Sequence, residues 1–340
     1  MGERLHSLDQ FRGYTVAGMF LVNFLGGFAA IHPLLKHHNT YCSYADTIMP
    51  QFFFAVGMAL RLASPRPSKL VKRALGLILV GAVVYHLDGK YATFDAMSWG
   101  EFFGKAWRRS LFQALVHIGV TTLWVAPVIA ASARAQVLWM VGSAALHVVL
   151  SATWWHAWLR ENRVIDGGAL GFLTWTIPTL FGSLAYSYLI ANGRAMAYSR
   201  FALASVAAML GGYGLSCLTN GGVLAAPPFF APWHERDMWT MSQQAGSVSY
   251  LLFSAGFSLA VYTLFIWLCD ARGLRVGVFR TLGVNALTGY VLHMPVEDAV
   301  KPFAPRDSPL YWALAMFALF FTIVWAMMRS LEKNNVYIKL

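Results

Sequence analysis

The chain carries a small set of polar and ionisable side chains within or beside long apolar stretches, where such groups are costly and mark functional sites. They are Asn23, His37 or its neighbour His38, Asp46, Asn285 and His293. A histidine that ionises near neutral pH takes a proton from an attacking amine or hydroxyl. A nearby carboxylate orients that imidazole, and asparagine amides donate hydrogen bonds to an oxyanion that develops on an acyl carbon. The set therefore predicts acyl-transfer chemistry, with plain hydrogen bonding between neighbouring helices as the alternative.

Metal chemistry is not predicted, because the remaining histidines have no ligand spacing and the cysteines are scattered. These residues are His86, His117, His147, His156, Cys42, Cys217 and Cys269. Asp9 and Arg12 lie three residues apart and are expected to face the same side of a helix. Either the two side chains pair with each other in a structural role, or Arg12 binds a phosphate. The basic cluster from Arg61 to Arg73 predicts a topology signal and contact with lipid headgroups, with a share in holding an anionic cofactor as the alternative.

The sequence around this set decides the class of protein. Of the 340 residues, 58% are hydrophobic and 12% are charged, and the mean hydropathy is +0.53. A water-soluble domain carries about 25% charged residues, whereas stretches of about 20 apolar residues span a bilayer as helices. We predict an all-α fold, a single polytopic membrane domain over 1–340 with about ten transmembrane helices. The predicted spans are approximately 13–32, 44–63, 71–88, 110–132, 136–155, 169–191, 199–219, 247–269, 279–297 and 309–328.

The net charge of +11 arises from basic residues that lie between the apolar spans. Basic residues in short loops favour the cytoplasmic side, so the cluster from Arg61 to Arg73 predicts that both termini are cytoplasmic. The loop that carries His37 and the end of the span that carries His293 then face the outside at similar depth. No basic stripe with interleaved aromatic residues occurs in a polar segment, so we expect no nucleic-acid partner. No removable signal peptide is apparent.

Characteristic segments follow one another along nearly the whole chain. The specific ones are Ser7-Leu8-Asp9-Gln10-Phe11-Arg12-Gly13, Leu21-Val22-Asn23-Phe24, Lys36-His37, Ala45-Asp46-Thr47-Ile48-Met49-Pro50, Gly283-Val284-Asn285-Ala286-Leu287 and Tyr290-Val291 with His293. The looser ones are Leu111-Phe112-Gln113, Asp166-Gly167-Gly168-Ala169-Leu170 and Met238-Trp239-Thr240 with Ser249-Tyr250. In this order they resemble the heparan-α-glucosaminide N-acetyltransferase family. Ala114 stands where that family has arginine, and the segment after His37 is one residue shorter than the family pattern.

The resemblance implies a transmembrane acetyltransferase of the bacterial type, without the luminal N-terminal domain of lysosomal members. It implies cytosolic acetyl-CoA as co-substrate, no metal, and a saccharide acceptor such as a terminal glucosamine of the cell envelope beyond the membrane. The family's catalytic positions map to His37, Asn23, Asp46 and His293. Substrate or cofactor binding is expected of Asn285, Arg12, His38, Trp239 and Tyr290. The shortened segment leaves His37 and His38 as alternatives for the base.

Several alternatives stay open at this stage. Acetylation of an amine or of a hydroxyl, direct transfer or an acetyl-histidine intermediate, and a homodimer are all compatible with the sequence. A transporter or flippase would place the same buried polar groups along its pathway. A sugar O-acyltransferase with an Asp-x-x-Arg-Gly motif is a further alternative. Each of these readings places the protein in a lipid bilayer, most simply the bacterial inner membrane.

Overall fold

A computed structural model describes residues 5–86, 93–94, 98–105, 111–162, 164–219 and 224–337. The regular elements in these residues are helices, as the composition predicts, and no β-strand occurs among them. The α-helices are α1 (His6–Leu25), α2 (Tyr44–Ala63), α3 (Pro67–Gly81), α4 (Trp99–Lys105), α5 (Ala114–Val125), α6 (Ala133–Leu150), α7 (His156–Glu161), α8 (Phe172–Ser216), α9 (Val248–Phe265), α10 (Gly277–Val284), α11 (Ala286–Val300) and α12 (Leu310–Lys333). Turns of π-helix extend α3, α6 and α9.

Four helical segments of the described chain are long and apolar enough to cross a membrane. They are Ala133–Glu161, Gly168–Ser216, Val248–Ala271 and Leu310–Lys333. The 12 residues of α5 extend only about 18 Å, less than the hydrocarbon core of about 30 Å. The 45 residues of α8 contain a non-helical glycine, Gly193, at φ 74°, where two predicted spans join. The count of about ten crossings therefore remains a prediction. Residues 87–88 of the third predicted span and residue 110 of the fourth lie outside the described part.

The first predicted span was misplaced at both ends. We expected 13–32, whereas α1 covers His6–Leu25. The helix starts earlier because Asp9 and Arg12 are helix-compatible and need not interrupt it. It ends earlier because the chain turns at the glycine pair that begins with Gly26, which is followed by a loop and a short 3₁₀ turn. His37 lies in the segment that connects α1 with α2, as expected of the loop after the first span.

The start of α2 fixes the candidate carboxylate through a capping box. The Ser43 side-chain oxygen accepts the Asp46 N–H at 3.3 Å, and Asp46 Oδ2 accepts the Ser43 N–H at 3.0 Å. These reciprocal bonds satisfy backbone donors that have no partner in the first turn of a helix. The observed bounds of α2 coincide with the predicted span 44–63. The position of Asp46 is therefore set by local sequence.

Glycines allow the central helices to touch along their backbones. A Cβ atom on Gly57 of α2 would lie 1.7 Å from the carbonyl oxygen of Thr179 on α8. One on Gly182 of α8 would lie 2.0 Å from the carbonyl oxygen of Phe54 on α2. Gly13 brings α1 equally close to the backbone of α10. Small residues at such contacts are typical of helices that pack within a membrane, and here they hold α2 against α8 and α1 against α10.

The outer helices α6 and α12 present apolar side chains to the surroundings. Only 17% of the most apolar window of each is buried. The exposed side chains include Leu138, Val141, Val149, Leu310, Leu314 and Leu319. Soluble monomers rarely expose apolar surface over such a length, so these faces are suited to lipid. The chain is a membrane protein.

Candidate active site

His37 lies between the end of α1 and the start of α2 and touches both. Its Nδ1 is 3.0 Å from Asp46 Oδ1, and its Nε2 is 3.3 Å from Asn23 Oδ1. The His37 side chain is 33% exposed, whereas Asp46 is fully buried. A protonated His37 ring would donate a hydrogen bond to each of these two oxygens. A neutral ring with its proton on Nδ1 would still donate to Asp46. Its Nε2 would then accept a hydrogen bond from the Asn23 NH₂ group, once the Asn23 amide is rotated by 180°. The three side chains thus accommodate both protonation states of a base.

Asp46 is held rigidly in its place. Its Oδ2 accepts the N–H and the hydroxyl of Ser43, the latter at 2.9 Å. The Tyr250 hydroxyl donates to the Asp46 backbone carbonyl at 2.5 Å and ties α9 to the start of α2. These bonds hold the carboxylate in one position at the N-terminus of α2. Asp46 can therefore orient the His37 ring and stabilise its positive charge.

The neighbouring His38 is engaged elsewhere. Its Nε2 lies 2.9 Å from the Pro33 carbonyl oxygen, and its ring stacks on Tyr41 with 4.3 Å between the centroids. His38 is not among the residues that line the main cavity, whereas His37 is. The geometry therefore brings His37, and not His38, together with Asp46 and Asn23.

His293 and Tyr290 lie on α11 and line the same cavity. The buried His293 ring stacks on Phe20, and its Nδ1 is 2.6 Å from the Tyr290 carbonyl oxygen. This bond assigns the Nδ1 proton, so Nε2 of the neutral ring is an acceptor. The Tyr290 hydroxyl bonds to that of Tyr85, which also accepts the Leu115 N–H. Both α11 residues are therefore positioned by contacts from other helices.

The cavity connects the His37 group with two arginines near the other end of the bundle. Its volume is about 430 Å³, and Arg12, Arg73, Asn23 and His37 all line it. Arg12 and Asn23 both belong to α1 and are separated by about 17 Å along its axis, from a rise of 1.5 Å per residue. Asp9 attracts the Arg12 guanidinium, while Arg73 repels it. The middle of the wall is apolar and includes Met19, Val22, Ile48, Met49, Phe52 and Leu77.

Two predicted binding residues lie away from this cavity wall. The Asn285 amide donates to the Val336 carbonyl at 3.0 Å. Two residues earlier, Gly283 packs against the backbone of Asp9, so Asn285 lies near the Arg12 end of α1. The Trp239 carbonyl accepts a hydrogen bond from the Ser249 hydroxyl. Neither Trp239 nor Ser249 lines the cavity. Neither residue joins the His37 group.

Asp166 and Gln243 are cavity-lining residues for which the sequence predicted no role. Gln243 Nε2 donates to Asp166 Oδ1 at 2.6 Å. In the sequence, Asp166 belongs only to a segment that matches the family loosely. The Gly167-Gly168 pair in that segment indicates an unusual turn, but the sequence does not show which residues the turn contacts. Among the described residues, no cluster of three or more histidine, cysteine or carboxylate side chains could hold a metal ion.

Comparison with known families agrees with this geometry. Residues 4–218 match the family described as "Heparan-alpha-glucosaminide N-acetyltransferase, catalytic". The match covers more than half of the 340 residues and includes Asn23, His37, Asp46 and Asp166. No individual curated protein gives a significant match.

Proposed function

Since the chain belongs to the heparan-alpha-glucosaminide N-acetyltransferase catalytic family, we propose that it transfers acetyl from cytosolic acetyl-CoA to a saccharide across the membrane. The acceptor group is an amine or a hydroxyl, and a terminal glucosamine of the cell envelope is the proposed example. The proposed enzyme is one membrane domain over 1–340 with about ten crossings and cytoplasmic termini. Membership of the family supports an acyltransferase; the donor, the acceptor and the orientation belong to the proposal.

One observation carries the proposal: a single cavity has the His37–Asp46–Asn23 group at one end and two arginines at the other. Guanidinium groups bind phosphates through charge-assisted, often paired, hydrogen bonds. Neither Arg12 nor Arg73 makes a hydrogen bond or ion pair with other described residues, so both are available to an anionic ligand. The phosphates of acetyl-CoA would bind there, with the apolar arm along the middle of the wall and the thioester at His37.

The basic cluster supports the proposed orientation. The basic residues at the end of α2 and the start of α3 lie on the side of the bundle where α1 begins; they are Arg61, Lys69, Lys72 and Arg73. Short basic segments favour the cytoplasm. Acetyl-CoA would therefore enter at the Arg12 end, and the saccharide would enter at the His37 end from outside.

In the proposed mechanism His37 is the base or a transient acetyl carrier. Asp46 holds the Nδ1 proton, which leaves Nε2 to take a proton from the attacking group. The Asn23 amide lies beside Nε2 and would bind the acyl oxygen or the substrate. His293, with its acceptor nitrogen at Nε2, would assist proton transfer or binding. Asn285 lies near the Arg12 end, so its proposed binding role concerns the donor rather than the acceptor.

The proposal is tested with the purified full-length protein, radiolabelled acetyl-CoA and a panel of sugars. We expect CoA release that depends on the acceptor, together with label in an amide or an ester of the sugar. The bond formed distinguishes an N-acetyltransferase from an O-acyltransferase. A transporter would instead show uptake of an unmodified sugar into vesicles and no CoA release, and that result would refute the proposal.

A further inference from the structure

Asp166 is a second buried carboxylate that faces the cavity. Its exposed fraction is 4%, and it lines the cavity with Gln243 and His37. Oδ1 accepts the Gln243 amide at 2.6 Å. Oδ2 makes no hydrogen bond with the described residues, and no ion pair of Asp166 occurs among them. Although the residue as a whole is buried, Oδ2 is not among the fully enclosed oxygens, and Asp166 lines the cavity. A carboxylate oxygen that is open to a cavity and has no protein partner can accept hydrogen bonds from a ligand.

The backbone around Asp166 is held in an unusual conformation. Asp166 has φ 57°, and the next two residues, Gly167 and Gly168, have φ 79° and 58°. The left-handed region is uncommon for residues other than glycine, although aspartate adopts it more readily than most. Here the Trp175 indole donates to the Asp166 carbonyl at 2.8 Å, and the Gly167 N–H donates to the Gln244 carbonyl at 3.1 Å. These contacts fix the direction of the Asp166 side chain.

The same loops link Asp166 to the segment of His37. The carbonyl of Asn39, two residues after His37, accepts the Gln244 N–H at 2.7 Å and the Ser242 hydroxyl at 2.8 Å. Asn39, Gln243 and Asp166 all line the cavity. The segments that carry His37, Gln243 and Asp166 therefore form one hydrogen-bonded unit at one end of the cavity.

Two carboxylates and one imidazole, those of Asp46, Asp166 and His37, interact electrostatically at this end of the cavity. Both oxygens of Asp46 are used, one by His37 and one by Ser43. Burial raises the pKa of Asp166 to about 6; the nearby Asp46 also raises it, while the Gln243 bond and the His37 charge lower it. One imidazole thus faces two carboxylates, and a cationic ligand would neutralise the second.

We propose that Asp166 binds the protonated amino group of the acceptor saccharide and takes its first proton, an inference that rests on the proposed function. An ammonium group has no lone pair, so it must lose a proton before it attacks. The amine nitrogen then forms a C–N bond with the acetyl carbon while the C–S bond breaks. His37 takes the second proton and passes it to the CoA thiolate, and the first proton leaves Asp166 for solvent. Ammonium and acetyl thioester thus give amide, CoA thiol and one free proton.

The test compares the wild type with Asp166→Asn in full-length protein, using glucosamine as acceptor. The amine of glucosamine lies beside electron-withdrawing oxygens, so its pKa resembles the value of about 7.7–8.0 of an α-amino group and it is mostly protonated at about pH 6.5. At that pH we expect the KM for glucosamine to rise at least about tenfold. The KM for acetyl-CoA should not change. At about pH 8.5 the defect should shrink to less than about threefold, because neutral amine is then supplied by solution. Asp307→Asn, which removes an exposed carboxylate outside the cavity lining, is the matched control.

Other titratable groups are common to both proteins. His37, Asp46 and the hydroxyls of Tyr85, Tyr250 and Tyr290 lie within electrostatic range of Asp166. They are unchanged in the variant, so the ratio of variant to wild type at each pH isolates Asp166. A defect of equal size at both pH values, or an unaltered KM, would overturn the inference.

A second measurement uses the wild type alone and does not depend on the folding of the variant. Calorimetric titration at about pH 6.5 should show at least about tenfold tighter binding of glucosamine than of glucose, because only glucosamine carries a cation for Asp166. Equal affinities would overturn the inference. Wild-type protein that binds glucosamine selectively but releases no CoA would refute the proposed function while leaving the amine site in place.

Discussion

Replacement of His37 by alanine separates catalysis from folding. The change removes two side-chain bonds, at 3.0 Å to Asp46 and at 3.3 Å to Asn23, from a ring that is 33% exposed. Asp46 keeps its two donors from Ser43, so the capping box of α2 persists. Asp46 Oδ1 loses its partner, so we expect the free energy of unfolding to fall by about 1–3 kcal/mol.

The effect on rate should be much larger. A general base contributes about 10²–10⁴-fold, which corresponds to about 2.7–5.5 kcal/mol in the activation free energy. Acetyl-CoA binding should stay nearly intact, because the arginines that would hold its phosphates lie about 17 Å away along α1. His37→Ala should therefore give a folded protein that binds the donor and transfers acetyl at least about a hundredfold more slowly.

His38→Ala is the matched control. It removes the contact with the Pro33 carbonyl and the stacking on Tyr41, and it leaves the cavity wall unchanged. Its rate should stay within about threefold of wild type, as for a residue that makes no contact in the transition state. The assay is the initial rate on one acceptor, with melting temperature and acetyl-CoA affinity measured for each protein. If His37→Ala keeps more than about a tenth of the rate, or if His38→Ala is the inactive variant, the reasoning fails.

Two further predictions concern the donor end and the helix contacts. Arg12→Ala should weaken acetyl-CoA binding in calorimetric titration by about tenfold or more, because charge-assisted hydrogen bonds to the phosphates are lost. The KM for the sugar should not change. An unaltered affinity for acetyl-CoA would mean that the phosphates bind elsewhere. Gly57→Ala should lower the melting temperature in detergent, because its Cβ would lie 1.7 Å from the Thr179 carbonyl oxygen and cost about 1–3 kcal/mol or more. Gly142→Ala, where a Cβ meets nothing within 4 Å, is the control and should not lower it.

Local sequence was informative wherever neighbours along the chain determine the structure. An apolar composition requires lipid whatever the fold, so the all-α membrane class followed from 58% hydrophobic residues. The capping box joins Ser43 to Asp46 three residues later, and α2 began and ended where the pattern predicted. The family resemblance, which the match over residues 4–218 confirms, likewise rested on short contiguous segments. The catalytic roles of His37, Asp46 and Asn23 remain predictions, although the structure brings the three side chains together.

Helix boundaries and the number of crossings were less accessible to the sequence. Apolar stretches mark helices but not their turns, so α1 lies about seven residues earlier than we expected. Gly193 has a φ of 74° and a ψ of 174°, which are not helical, so it interrupts α8 between the predicted spans 169–191 and 199–219. Hydropathy measures how apolar a segment is. The path of the backbone depends on contacts between segments, and a hydropathy profile carries no information about them.

The full site was decided only by tertiary structure. Gln243 and Asp166 are separated by 77 residues and meet because two loops share backbone bonds. Asn285 carries a family motif, yet packing of α10 against α1 places it near Arg12, at a distance from His37. A hydrogen bond between distant residues depends on where whole helices dock, and docking follows from the close backbone contacts of glycines such as Gly57 and Gly13. The sequence thus determined which side chains can do the chemistry, and the packing of the helices decided which of them share one cavity.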